Sequence, residues 1–176
     1  MLVISEIILS DGTKVLVSEV DYPFIVFFYD IKVDKSGYVV CTLKQKNMGL
    51  RSGKLHNIII QERTIRGKYV IDHINSNKLD NRRENLRYCT HQENMMNRKI
   101  QEIYKGRKVT SSYKGVHWSE IDKAWITQIG DSGKVIKLGL FDSEIAAANC
   151  YNYHAERIQK EFANINSNIP FMDKSE

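Results

Sequence analysis

The sequence predicts an α+β protein built from two small domains, and three observations lead there. Short apolar and β-branched runs, punctuated by Gly, Asn and Asp, recur along the 176 residues and mark short strands and turns. Helix-start signals stand at residues 90–93 and at Ser143. Near residue 112 the order of elements changes, from scattered strands and short helices to three strands followed by one long helix.

Taken in order, residues 2–9 and 14–20 read as strands joined by Asp11-Gly12, a hairpin turn pair. Residues 19–30, apolar and aromatic around Pro23, read as a short helix, and residues 37–43 (GYVVCTL) as a strand. Residues 45–53 hold Gly49 and Gly53 and read as a loop, and residues 55–62 as a short helix bounded by Gly67. Residues 69–72 and 86–89 are short strands flanking a polar loop. Thr90 and Glu93 have capping-box spacing, which sets Asn94 one turn into a helix, near Asn97 and Arg98. Residues 113–118, 124–129 and 134–141 are strands, the last two joined by the turn Asp131-Ser132-Gly133. From Ser143 a helix runs to about residue 162, with Ala147, Ala148, Tyr151, Ala155 and Ile158 on one face. The expected domains are 1–98 and 112–168, with a basic, aperiodic linker at 99–111 and a tail at 169–176.

Composition narrows the function classes. Hydrophobic residues are 42% and charged residues 27%, which suits packed cores rather than disorder. No apolar run approaches the roughly 20 residues that cross a bilayer. The N-terminus lacks a basic n-region and reads as a strand, so a cytoplasmic protein with no membrane partner is expected. Cys41, Cys89 and Cys150 are far apart and form no CxxC pair, so free thiols are expected. Residues 51–108 hold 14 basic and 6 acidic side chains, against 5 and 6 before them and 7 and 9 after. That basic middle third points to a polyanionic substrate.

The same third concentrates the groups that can do chemistry. Asp72-His73 ends an apolar run, a polar loop follows, then a second short strand and the helix carrying Asn94. Hydrolysis of a phosphodiester needs a deprotonated water and a cation to absorb charge in the transition state. A neutral histidine can be the base. Magnesium prefers oxygen ligands and keeps several waters, so one carboxylate and one amide oxygen suffice. Adjacent strand residues point to opposite faces, which lets Asp72 and His73 serve different sides of one site.

The segment DHINSNKLDNRRENLR, followed by THQEN, resembles the HNH endonucleases of the ββα-metal fold, particularly those of phages and mobile introns. The resemblance implies a metal-dependent DNA endonuclease of homing type, with His73 the general base and Asp72 and Asn94 the ligands of one divalent ion. That ion would be magnesium, with manganese able to substitute. Asn85 would brace the loop as the fourth member of the catalytic set. Asn94 stands where the family often has His, an H-N-N variant that keeps an oxygen ligand. The upstream KLHNIII matches the family's basic-apolar segment, and His56 is read as supporting. Beside such a site, Arg82, Arg83, Arg87 and Arg98 become candidates for contacts to DNA phosphates.

Tyr113-Lys114-Gly115-Val116, Trp125, Leu138-Gly139-Leu140-Phe141, Ala147-Ala148 with Tyr151, and Asn166 resemble the AP2 DNA-binding domain. In that family a three-stranded sheet enters the major groove and a helix packs behind it. Alternation turns Trp125, Thr127, Ile129, Ile136, Leu138 and Leu140 toward the helix, and Ile126, Gln128, Lys137 and Gly139 outward. Lys114, His117, Ser119, Gln128, Lys134 and Lys137 are the expected DNA contacts. The partner is double-stranded DNA and a monomer is expected. A DNA-binding regulator with an inactive nuclease half and an RNA-directed nuclease are the competing readings.

Overall fold

A computed structural model of the chain describes residues 4–45, 49–60, 68–100, 103–104 and 106–170. It divides into two compact units, Met1–His91 and Gln92–Glu176.

In the first unit, β1 (Ile4–Ile8) pairs antiparallel with β2 (Lys14–Ser18). Gly12 closes the turn with φ of 82°, a value that glycine reaches without a Cβ penalty. Pro23 opens α1 (Tyr22–Phe28), where its fixed φ suits the first helical turn. Tyr29 is already extended, so β3 (Tyr29–Val33) follows with no loop between them. This strand begins inside the stretch read as helix, residues 19–30, and runs past its end, because the aromatic run continues through the junction with no Gly or Pro to mark it. β4 (Val39–Leu43) pairs with β3 and with the short β5 (Gly53–Lys54), which leads into α2 (Leu55–Ile60). The C-terminal end expected for that helix and its Gly67 boundary lie outside the described residues. β6 (Tyr69–His73) and β7 (Leu86–Thr90) form an antiparallel hairpin around the polar loop.

One core holds the first unit together. Val15 and Val17 enter it from β2, Ile25 from α1, Tyr29 from β3 and Cys41 from β4. Leu55 and Ile59 of α2 pack there beside Ile71 and Leu86 of the hairpin. Each such aliphatic side chain contributes about 1.5–3 kcal/mol by leaving water.

α3 (His91–Met96) starts directly after β7. The segment expected as a linker contains a two-stranded hairpin, β8 (Ile103–Tyr104) with β9 (Arg107–Lys108), turned at Gly106. Its strands are too short for a residue period to show.

Further along the second unit, β10 (Val116–Ser119), β11 (Ala124–Asp131) and β12 (Lys134–Phe141) form an antiparallel sheet in that order. α4 (Glu144–Gln159) packs on one face, capped by Ser143, whose Oγ accepts from the Ala146 N–H at 3.4 Å. Thr127 donates to the Ala147 carbonyl, and Ile129 packs with Tyr151 and Ala155. Trp125 meets Ala147 and Ala148, so the β11 alternation is as expected.

Strand β12 departs from expectation. A bulge opposite Thr127 and Gln128 leaves Leu138 without a directly paired residue. The extra residue shifts the phase of the strand. Leu138 and Phe141 point to the helix, whereas Leu140, 49% exposed, pairs with the outward Ile126; Ile136 pairs with Ile129 yet is 40% exposed.

Candidate active site

The β6–β7 hairpin fixes the two central residues by register. Asp72 pairs with Arg87, and His73 with Leu86. Both Asp72 and His73 are buried. The loop between the strands is locked by its own short polar side chains. Asn85 accepts from the Asn75 N–H at 3.0 Å and donates to the Asn75 side-chain oxygen at 3.0 Å and to the Asp80 carbonyl at 2.7 Å. Asn75 also accepts from the Asn77 N–H, and Asn77 from the Leu79 N–H. These are Asx turns, which Asn forms readily because its side chain mimics a backbone carbonyl. Asn85 thus ties the first residues of the loop to its last turn.

The N-terminal hairpin grips the same loop. The Leu16 N–H donates to Leu79 and the Leu16 carbonyl accepts from Asn81, a strand-like bridge between β2 and the loop. The Arg83 N–H donates to the Ser18 hydroxyl, and its guanidinium holds both oxygens of Asp21 at 2.8 and 2.6 Å. No feature of residues 1–20 announces this role, which depends on a contact far away in sequence.

His73 is set by Asn81, a side chain with 0% exposure. The Asn81 amide nitrogen donates to the Lys78 carbonyl at 3.0 Å, which turns its oxygen toward His73 Nε2 at 3.3 Å. An amide oxygen only accepts, so the proton of the neutral ring sits on Nε2 and the lone pair on Nδ1. Burial lowers the His73 pKa below its ordinary value, opposed by the Asn81 bond and the charges of Asp72 and Asp80. The ring is therefore neutral at physiological pH. Asn81 was not singled out by sequence, because its part depends on the loop folding back beneath the strand.

His56 meets His73 edge-on, with ring centroids 5.1 Å apart and planes at 90°. Burial first, then the charges of His73 and Lys54, push its pKa down to about 3. It is a neutral wall of the site. Tyr38 completes the wall, 5.5 Å from His56 and 6.2 Å from His73.

Three of the four arginines expected to meet DNA, Arg82, Arg83 and Arg87, are turned to carboxylates of their own unit. Arg87 Nε and Nη2 reach Asp72 Oδ2 at 3.1 and 2.9 Å. Arg82 forms a two-pronged pair with Asp80 at 2.8 and 2.7 Å and a further bond to Glu84 at 2.9 Å. Arg83 holds Asp21. Spacing alone could not reveal these pairs, since each guanidinium fork matches whichever carboxylate the fold brings near.

Asn94 lies on α3 and is half-buried, in the second unit. Arg98 is exposed and donates to the Met95 sulfur. Lys114 does not present its ammonium on the sheet: Nζ donates to the Met96 carbonyl, and burial lowers its pKa to about 8. Ser119 donates to Asp122 at 2.7 Å and is part of the β10–β11 turn. Gln128, Lys134 and Lys137 are exposed and His117 is partly exposed. His117 shares an outward row with Ile126 and Leu140, and Gln128 pairs with Lys137.

The donor chemistry suits a hard cation. Asp72 is a carboxylate whose Oδ2 accepts from Arg87, and Asn94 carries an amide oxygen. Among the described residues no three His, Cys, Asp or Glu side chains converge as a closed metal cage. Magnesium-type sites use few protein oxygens and retain water, so that donor set fits.

A buried, neutral imidazole beside a buried carboxylate is equipment that a hydrolase can use to activate water. The chain belongs to the HNH endonuclease family. A model of that family, described as HNH endonuclease, matches residues 54–96, from the His56 segment through the hairpin to α3. An uncharacterised HNH endonuclease of Acanthamoeba polyphaga mimivirus is 34% identical over 161 residues, covering 86% of this chain and 74% of that protein. A second uncharacterised HNH endonuclease of the same virus is 35% identical over 66 residues, covering 35% of this chain but only 17% of the relative. No solved structure matches the chain at a significant level.

Proposed function

We propose that the protein is a metal-dependent DNA endonuclease in which His73 is the general base. The observation that carries this is the neutral, buried His73, held through Nε2 by Asn81 and adjacent to Asp72. His73 Nδ1 takes the proton of a water as its oxygen bonds to phosphorus, and the bond to the leaving oxygen breaks. Asp72, together with Asn94, would hold one divalent cation, magnesium with manganese as a substitute. When bound, that cation supplies positive charge to the phosphate in the transition state. Asn85 keeps the loop in shape around the base.

The family supports a DNA substrate, and the two mimivirus relatives support an origin in a virus or mobile element; homing as the role and the host cytosol as the location are our extension of that reading. The sheet and helix of the second unit, with the AP2-like pieces in their sequence, are read as a duplex-docking module. His117, Gln128, Lys134 and Lys137 are its first contacts, and Arg98 and Lys114 serve beside it. For Arg82, Arg83 and Arg87, bracing comes first and phosphate contact second. One catalytic histidine per chain suits a monomer that nicks one strand at a time.

The test is incubation with supercoiled plasmid and magnesium, with and without a chelator. Nicked circles should accumulate and the chelator should stop them. His73→Ala should lower the rate by about 100- to 10,000-fold with DNA binding nearly intact. An intact plasmid with wild-type protein, or an unimpaired His73→Ala variant, would refute the assignment.

A further inference from the structure

Beside His73 lies a second group of residues that the hydrolytic chemistry leaves unused. Tyr38 stands at the entry to β4, with its ring next to both His56 and His73. Two ammonium groups gather on that ring: Lys54 Nζ lies 3.8 Å from its centroid and Lys78 Nζ 4.3 Å. They come from separate places, Lys54 from β5 and Lys78 from the loop between β6 and β7. Lys78 Nζ also donates to the Ser36 carbonyl at 2.7 Å, which fixes its direction.

Two like charges on one ring repel each other, and a fold gathers them only if something offsets the repulsion. The ring face attracts each cation. Asp34 supplies one negative charge nearby. The Tyr38 and Ser36 N–H groups, with help from the charges of both lysines, hold its carboxyl below the ordinary value. One carboxylate against two ammonium groups leaves a net positive charge, half-buried and beside the base. That remaining charge suits an anion.

We infer that Lys54 and Lys78, held on Tyr38, bind a backbone phosphate of duplex DNA adjacent to the one hydrolysed at His73. The Tyr38 ring that carries both ammonium groups lies 6.2 Å from the His73 ring, so an anion held there is next to the base. The site would fix the strand so that the phosphate under attack meets Nδ1 of His73. This rests on the nuclease reading, and it assigns DNA contact to residues other than the arginines held by carboxylates.

The experiment uses the full chain with Lys54→Gln and Lys78→Gln, singly and together. Duplex binding is titrated across a series of salt concentrations, and cleavage is followed under steady-state conditions. The double substitution should lower the slope of log affinity against log salt by about 0.9, the loss of one phosphate contact, and each single substitution by part of that. KM should rise while kcat stays within about twofold, the pattern of a contact made equally in ground and transition states. Tyr38→Leu should weaken binding with both lysines present, whereas Tyr38→Phe should not. Lys14→Gln, which breaks only the ion pair to Glu6, should leave the slope unchanged. A double variant that melts like wild type and keeps the wild-type slope would overturn the inference. If the wild type binds but never cuts, the nuclease reading fails, and the slopes still decide the phosphate site.

Discussion

At the scale of single residues, the site depends on which histidine nitrogen carries the proton, and Asn81 decides that. Asn81→Ala removes the acceptor for Nε2–H and lets the ring turn. It should lower kcat by about 10- to 100-fold with little change in KM, the usual cost of losing an orienting hydrogen bond. Steady-state cleavage of a defined duplex would show it, and an unchanged kcat would mean that packing alone orients His73. His56 has a different part, visible in stability. Its folded-state pKa of about 3 lies below its ordinary 6.5. Between those values the unfolded chain takes up a proton that the folded chain refuses. Stability should therefore fall as pH drops below about 6.5 and be unaffected above it, by about 2 kcal/mol at pH 5. Urea unfolding of wild type and His56→Phe at pH 5 and at a pH above about 6.5 is the check. The variant keeps a ring without the titration, so its acid loss should be smaller.

At the scale of elements, close approach of sheet and helix depends on one glycine. Gly115 has φ of 77°, and a Cβ there would lie 2.0 Å from a Tyr151 ring carbon and 2.7 Å from the Gln128 carbonyl. Backbone strain and overpacking would act together, since Tyr151 is buried against Ile129 and cannot swing away. Gly115→Ala should destabilise the second unit by about 2–4 kcal/mol, read as a lower melting temperature. Gly130→Ala, with nothing within 4 Å of the added carbon, is the matched control at a sheet glycine. In the first unit, the β1–β2 hairpin holds the loop between β6 and β7 through Leu16 and Ser18, with Asp21 just beyond it, so its removal should disorganise that loop without touching the proposed base His73.

At the scale of the whole molecule, the proposed ligand Asn94 lies three residues beyond His91, where the first compact unit ends. A fragment ending at residue 91 should lack metal-dependent cleavage, and one ending at residue 98, which keeps α3, should retain it with reduced affinity for DNA. The affinity falls because a linked second module raises the effective concentration of DNA at the first. The complementary fragment, residues 92–176, should bind duplex weakly and never cut. Plasmid nicking and a salt-dependent titration with each fragment would decide this. Cleavage by the shorter fragment would remove Asn94 from the metal site.

Much of this was readable in the linear chain because it is local. The Asp11-Gly12 turn, the Ser143 cap, the alternation of β11 and the Asp72-His73 hairpin each depend on neighbours a few residues away. Those are the distances over which turn chemistry and side-chain period act. β3 is not legible in the sequence because nothing punctuates its junction with α1, nor is the outward turn of Leu140, because a bulge leaves no mark on an alternating pattern. The partners of Arg82, Arg83, Arg87 and Lys114, the Asn81 bond to His73 and the lysines on Tyr38 were settled only when the chain closed on itself. A long polar side chain meets whatever opposite charge, carbonyl or ring the packing brings within reach. Residue type and spacing thus determined which groups could do chemistry, and tertiary contact decided which of them are held by the protein and which are turned toward a substrate.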